Sequence, residues 1–182
     1  LPKAGGVKTQ SLIIDCDPGV DDALGLFLAF GSPALELLAV TTVGGNVPGE
    51  ITARNARIMR QLAGREDVPV HAGADRPLVR EPVAAAEFHG EGGIGDMTPF
   101  EPRLGNASET APKLAAHLGP VSVMGGARSE GGNITASAEF NIYADPEAAA
   151  EVFASGCEMI VFGLDATHQV RATEARIAAI EA

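Results

Sequence analysis

Basic residues are scarce in this sequence. The 182-residue chain has 13 Lys and Arg against 24 Asp and Glu, a formal net charge of −11. A nucleic acid or an anionic membrane surface needs a basic face, so neither is an expected partner. Long apolar runs are lacking too. None reaches the roughly 18 residues that cross a bilayer, so no membrane span is expected. The opening stretch LPKAGGVKTQ lacks the apolar core of a signal peptide. Cysteine is limited to Cys16 and Cys157. Both lie in or beside apolar, strand-like runs, which reads as two buried thiols in a reducing, cytoplasmic compartment rather than a disulfide framework. No internal repeat, low-complexity tract or interdomain linker is seen. The 46% hydrophobic content argues against disorder. The length suits one domain, 1–182, with a sizeable core.

What the chain does have is acid, concentrated in one place. Ser11 to Phe30 reads SLIIDCDPGVDDALGLFLAF. Asp15, Asp17, Asp21 and Asp22 fall within eight residues. The apolar run Leu12-Ile13-Ile14 precedes them and a helix-like run, Ala23 to Phe30, follows. The pattern is strand, tight turn, helix. Pro18 fixes one backbone dihedral and Gly19 permits a sharp bend between the two Asp pairs. Like charges this close raise one another's pKa unless a cation intervenes. No Lys or Arg occurs between Ser11 and Ala23. A bound divalent ion is the simplest neutraliser, and an all-oxygen donor set suits calcium or magnesium. A helix dipole accounts for one acid at a helix start, not for four across a Pro-Gly turn.

The rest of the chain alternates. Leu35–Val43 reads as a strand with few charges, ending in Gly44-Gly45-Asn46. Glu50–Ala63 reads as an amphipathic helix, with Ile51, Ile58, Met59 and Leu62 on the apolar stripe and Arg54, Arg57 and Arg60 off it. Val68–Ala72 is a short strand in which His71 is structural. From Gly73 to about Asn106 periodicity is lost. A loop of that length in a compact domain is usually functional or disordered, and it contains His89-Gly90-Glu91-Gly92-Gly93. Ser108–Leu118 reads as a short helix with Ser108 as its cap. A strand at Val121–Met124 runs into Gly125-Gly126. Asp145-Pro146-Glu147 starts a helix, with Asp as cap and Pro at the first position. Met159–Leu164 is a further strand and Ala172 onward a final helix. This alternation predicts an α/β fold: an open, mainly parallel, Rossmann-like sheet with helices on both faces. Asn46 and the acids then share the carboxyl edge, where open sheets bind ligands.

Several of these stretches resemble one family. DCDPGVDDA is similar to the N-terminal signature of the nucleoside hydrolases, the inosine-uridine-preferring N-ribohydrolases, and the motif is long enough to be specific. TTVGGN, HGEGG, the run GGNITASAEFNIYADPEAA and LDATH resemble later family segments. The resemblance implies hydrolysis of the N-glycosidic bond of a small ribonucleoside to free base and ribose, through an oxocarbenium-like state. It implies Ca2+ held by Asp17 and Asp22, with Asp17 also the base that takes the proton of the attacking water. Asp21 and Asn46 would bind the 2′ and 3′ hydroxyls. Asn133, Glu139 and Asn141 would hold the sugar near its 5′ hydroxyl, where neutral hydroxyls want mixed donors and acceptors. His89 would lie over the sugar cleft, as a substrate contact or in proton transfer. Asp15 would support the loop, and Asp165 would satisfy local backbone. A homodimer or homotetramer is implied as well.

The chain departs from that pattern twice. Only Leu118-Gly119-Pro120 separates His117 from Val121, where the family carries a strand, a calcium-ligating turn and a helix. The family's C-terminal third, with a late calcium-binding Asp and the His that protonates the leaving base, is also expected to be missing. Two other readings stay open. A haloacid-dehalogenase-like phosphohydrolase uses Asp-x-Asp after its first strand, but the continuation Pro-Gly-Val-Asp-Asp and the AEFN run do not fit it. A non-catalytic nucleoside- or ribose-binding relative would hold sugar without releasing base.

Overall fold

The structure is a computed structural model that describes residues 9–83, 85–103, 119–171 and 173–181. The chain divides into two compact units, Leu1–Lys113 and Leu114–Ala182. The helix expected over Ser108–Leu118, and His117 and Leu118 at the short junction, lie outside the described residues.

The first unit is built on three parallel strands in the order β1 (Gln10–Cys16), β2 (Leu35–Thr42), β3 (Val70–Ala72). Helix α1 (Val20–Gly31) connects β1 to β2, and α2 (Gly49–Leu62) connects β2 to β3. Parallel strands require such crossovers, so the β-α-β-α-β order and the parallel pairing are one fact. β2 is the central strand, and Leu37, Ala39 and Val40 on it are buried. Its partners on α1 are Leu26, Ala29 and Phe30, and on α2 Ala56, Ile58 and Met59. Val70 of β3 and Val68 just before it complete this core. The register sets Asp15 opposite Thr41 and Cys16 opposite Thr42, so β1 and β2 end side by side.

The second unit has a two-stranded parallel sheet, β4 (Val121–Met124) with β5 (Met159–Phe162). Helices α4 (Phe140–Ala144) and α5 (Pro146–Ala154) lie between them in sequence, and α6 (Leu164–Thr167) and α7 (Glu174–Glu181) follow. α5 starts as the sequence predicts: the Asp145 side chain accepts the Ala148 N–H, and Pro146 is in the first turn. Asp165 accepts the backbone N–H groups of Arg128, Ser129 and Glu130, which holds its carboxyl below the usual range. Its role is architectural, as expected. Among the described residues no helix is long and apolar enough to cross a membrane.

Three expectations need correcting. Arg60 does not face solvent; it is 0% exposed, whereas Leu62, placed on the apolar stripe, is 52% exposed. The reason is hydrogen bonding: the Arg60 guanidinium donates to the carbonyls of Val68 (3.0 Å) and Arg103 (3.2 Å). Those acceptors make burial of a permanent cation tolerable. Cys157 is exposed and Cys16 only half-buried, because Cys157 lies in the turn before β5 rather than in a covered strand; both are free thiols. The long region after Gly73 is not without structure. It contains a short helix, α3 (Ala86–His89).

Replacing Arg60 with Ala strands two carbonyls and opens a void, so unfolding free energy should drop by about 3 kcal/mol. Leu62→Ala should cost less than about 1 kcal/mol. Urea denaturation of the two variants checks the order, and equal losses would overturn this account of Arg60.

Candidate functional site

The acid turn lies at the carboxyl edge of the first sheet. β1 ends at Cys16, Asp17-Pro18-Gly19 turn the chain, and α1 begins at Val20. Asp22 accepts the Gly19 N–H through Oδ2 (2.9 Å), a carboxylate satisfying a donor at the helix start. Asn46 arrives from the loop after β2. Its backbone N–H donates to Asp17 Oδ2 (2.7 Å), and its amide Nδ2 donates to the Asp17 carbonyl (3.0 Å) and to Asp22 Oδ2 (3.3 Å). One residue thus ties both acids together. Glycine makes the approach possible: a Cβ on Gly45 would overlap the Asp17 carboxylate, and one on Gly19 would lie 2.7 Å from both Asn46 Nδ2 and His89 Nδ1.

His89 comes from α3. Its Nδ1 accepts the Val20 N–H (3.2 Å) and lies 3.9 Å from Asp21 Oδ1. With Nδ1 an acceptor, a neutral ring carries its proton on Nε2. Asp21 itself is exposed. The first unit therefore assembles Asp17, Asp21, Asp22, Asn46 and His89 around the start of α1. Asp15 stands one step back, accepting the Thr41 hydroxyl across the strands.

The electrostatics follow from burial. Desolvation pushes the Asp17 carboxyl up to about 7; Asp22 and Asp21 add to the rise, and the Asn46 N–H opposes it. Asp22 is also raised, by desolvation first, with the Gly19 N–H opposing. The Cys16 thiol is pushed up by burial and by the same acids, which makes it unreactive. Half-buried carboxylates without a counter-charge in their own segment are donors of the type a hard divalent cation takes, although among the described residues no group of three or more His, Cys, Asp or Glu is gathered to hold one. Asp17 and Asp22 are the residues that could hold it.

The second unit holds Asn133, Glu139 and Asn141 in a different arrangement. Glu139 is 2% exposed. Its Oε1 accepts the Asn141 N–H (3.0 Å), and its Oε2 accepts those of Gly126 (2.9 Å) and Ile142 (3.1 Å). It caps α4 and pins the Gly125-Gly126 turn. Asn133 Oδ1 accepts the Phe140 N–H (2.8 Å), and the Asn141 amide donates to the Met124 carbonyl (3.3 Å). The three gather at the start of α4, and the contacts just given are with the protein's own backbone.

One residue escaped the sequence reading. Asn55 on α2 is 0% exposed, and its Nδ2 donates to the carbonyls of Pro18 (3.2 Å) and Gly92 (2.8 Å). Its signal was present: Asn55 follows Ile51 by four and precedes Ile58 by three, a polar residue on an apolar stripe.

The sequence profile described as "Inosine-uridine preferring nucleoside hydrolase" matches residues 12–108 and 103–182. The inosine-uridine preferring nucleoside hydrolase of Crithidia fasciculata is 37% identical over 199 positions, covering 90% of this chain and 63% of its own. The pyrimidine-specific ribonucleoside hydrolase RihA of Salmonella agona is 41% identical over 193 positions, covering 88% and 62%. Among solved structures, the purine-preferring ribonucleoside hydrolase from Gardnerella vaginalis superimposes with a TM-score of 0.80 at 32% identity, over 90% of this chain and 64% of that one. A plant nucleoside hydrolase gives 0.78 at 31%, over 93% and 64%. The chain thus spans a little under two thirds of the length of these relatives.

Asp17 binds its proton more tightly in the folded chain than in the unfolded one. Its contribution to stability is complete below pH 3.8 and is lost as pH rises towards 7. Without divalent cations, the melting temperature should fall across that window. Asp17→Asn, which retains an acceptor for the Asn46 N–H, should flatten the fall. Thermal denaturation from pH 4 to 8 checks it, and an unchanged slope would refute the assignment.

Proposed function

Since the chain belongs to the inosine-uridine preferring nucleoside hydrolase family, we propose that it forms the metal- and sugar-binding part of an enzyme that hydrolyses ribonucleosides to free base and ribose. The observation that carries this reading is the bridge from Asn46 to Asp17 and Asp22 at the carboxyl edge of the sheet. An edge of this kind is where open parallel sheets take ligands.

Asp17 and Asp22 would hold the ion, proposed as Ca2+. When bound, such a cation lowers the pKa of a water and gives the sugar diol a docking point. Asp17 takes the proton from the attacking water, its carboxylate oriented by the Asn46 N–H. Asp21 and the Asn46 amide bind the 2′ and 3′ hydroxyls. Asn133, Glu139 and Asn141 are proposed for the far side of the sugar. Glu139 would serve there chiefly by fixing the Gly125-Gly126 turn and Asn141, since both of its oxygens already accept backbone N–H groups. His89, which stands beside Asp21 at the start of α1, is proposed as a substrate contact or a participant in proton transfer. The similar proteins carry pyrimidine-specific, purine-preferring and inosine-uridine preferring names, so the proposal extends to ribonucleosides as a class. The similarity to nucleoside hydrolases does not favour the phosphohydrolase alternative, although Asp15 and Asp17 keep its Asp-x-Asp spacing.

Ribonucleosides and p-nitrophenyl phosphate should be assayed side by side with the intact protein. Release of base from the nucleosides, abolished by Asp17→Ala and by chelation of divalent ions, is the expected result. Phosphate release instead, or an unimpaired Asp17→Ala variant with a native circular dichroism spectrum, would overturn it.

A further inference from the structure

We infer that Asn55 is a positioning residue that clamps the Asp17-Pro18-Gly19 turn and the His89–Gly95 loop into one site. Two segments far apart in sequence converge on a single amide. Nδ2 donates to the Pro18 carbonyl, the residue directly after Asp17, and to the Gly92 carbonyl, three residues after His89. Both protons of the amide nitrogen are used on these acceptors. Oδ1 is buried with no hydrogen-bond partner among the described residues. A buried amide that leaves its oxygen unsatisfied is held in place by what its nitrogen does.

A second observation points the same way. Gly93 has φ +77°, a conformation that side chains disfavour. A Cβ there would lie 2.8 Å from Asn55 Nδ2, 2.9 Å from Val47 Cγ2 and 3.3 Å from the Pro18 carbonyl oxygen. The loop is thus pressed on α2 and on the acid turn at one point, and only a glycine fits. Gly90 and Gly95 also have positive φ, so this loop folds back on itself around the contact. The Gly95 N–H bonds the His89 carbonyl (2.9 Å). On the other side, His89 Nδ1 takes the Val20 N–H at the start of α1.

Asn55 therefore closes a ring: α2 to the Pro18 turn, the turn to α1, α1 to His89, and His89 through its loop back to α2. In this ring the Asn55 amide bonds backbone carbonyls rather than the acid side chains. It acts through the backbone of Pro18, which orients Asp17, and through the backbone of Gly92, which orients His89. Placement at this level matters, since shifts near 1 Å can cost about a hundredfold in rate.

The catalytic part of this inference rests on the hydrolase reading, and the structural part does not. Asn55→Leu keeps the side-chain volume and removes both donors. In the intact protein, amide exchange at Val20, Gly93 and Gly95 should quicken by about tenfold, while Val40 in the central strand stays protected. The ribonucleoside kcat should fall by about 10–100-fold, read well below the variant's lowered melting temperature, where its circular dichroism spectrum is native. Asn55→Ser, which keeps a hydroxyl too short to bridge both carbonyls, is the second variant and should show the same selective pattern. Unchanged exchange at Val20 and at the loop would overturn the clamp. So would acceleration that spreads equally to Val40, or failure of both variants to fold, since either marks a residue needed only for the core. If the wild type turns over no ribonucleoside, the proposed function fails, and the exchange data alone decide the clamp.

Discussion

Asn46 holds two carboxylates that would otherwise repel. Its backbone N–H and its side-chain amide reach Asp17 and Asp22 from one side of the sheet edge. That arrangement depends on the parallel register, which ends β1 and β2 level with each other. It depends also on Gly19 and Gly45, which leave no Cβ in the space the polar groups use. Burial adds to the tension, because desolvation is the largest cause of the raised Asp17 and Asp22 carboxyls. Neutral amide dipoles can align such charges but cannot cancel them.

The second unit solves a different problem. Glu139 is a buried carboxylate as well, yet three backbone N–H groups surround it. Hydrogen bonds of that kind satisfy an anion without an ion. Asp165 is treated similarly by the 128–130 backbone. Glu139 and Asp165 are thus committed to holding turns in place, whereas burial raises the Asp17 and Asp22 carboxyls beside Asn46.

Much of this was legible in the residues. The acid cluster, the Pro-Gly turn and the apolar runs announced β1, the turn and α1, because local pattern and tertiary demand agree there. The Asp145 cap and the Pro146 start were equally local. What escaped was non-local. Arg60 was placed off the apolar stripe, and its burial went unread because its acceptors, Val68 and Arg103, lie beyond its own helix. Asn55 was passed over because its partners come from the turn after β1 and from the Gly-rich loop. Glu139 was legible as a polar residue in a family motif, but its use as a cap could not be read from composition. Side-chain bonds to distant carbonyls leave no period in the sequence.

The long connection after β3 shows what these distant bonds achieve for the chain. It is fastened to the rest of the unit at intervals: the Gly44 N–H donates to the Ala74 carbonyl, the Ala85 N–H to the Asn46 carbonyl, Asn55 Nδ2 to the Gly92 carbonyl, the Arg103 N–H to the Gln61 side-chain oxygen, and the Arg60 guanidinium to the Arg103 carbonyl. Closing one thirty-residue span is entropically costly, but the successive arcs here are only about ten residues each. Every fastening shortens the tether on which the next is made. An apparently shapeless stretch of Pro and Gly is thereby brought to order in instalments, and each instalment is secured by a polar atom that the hydrophobic pattern of the sequence does not reveal.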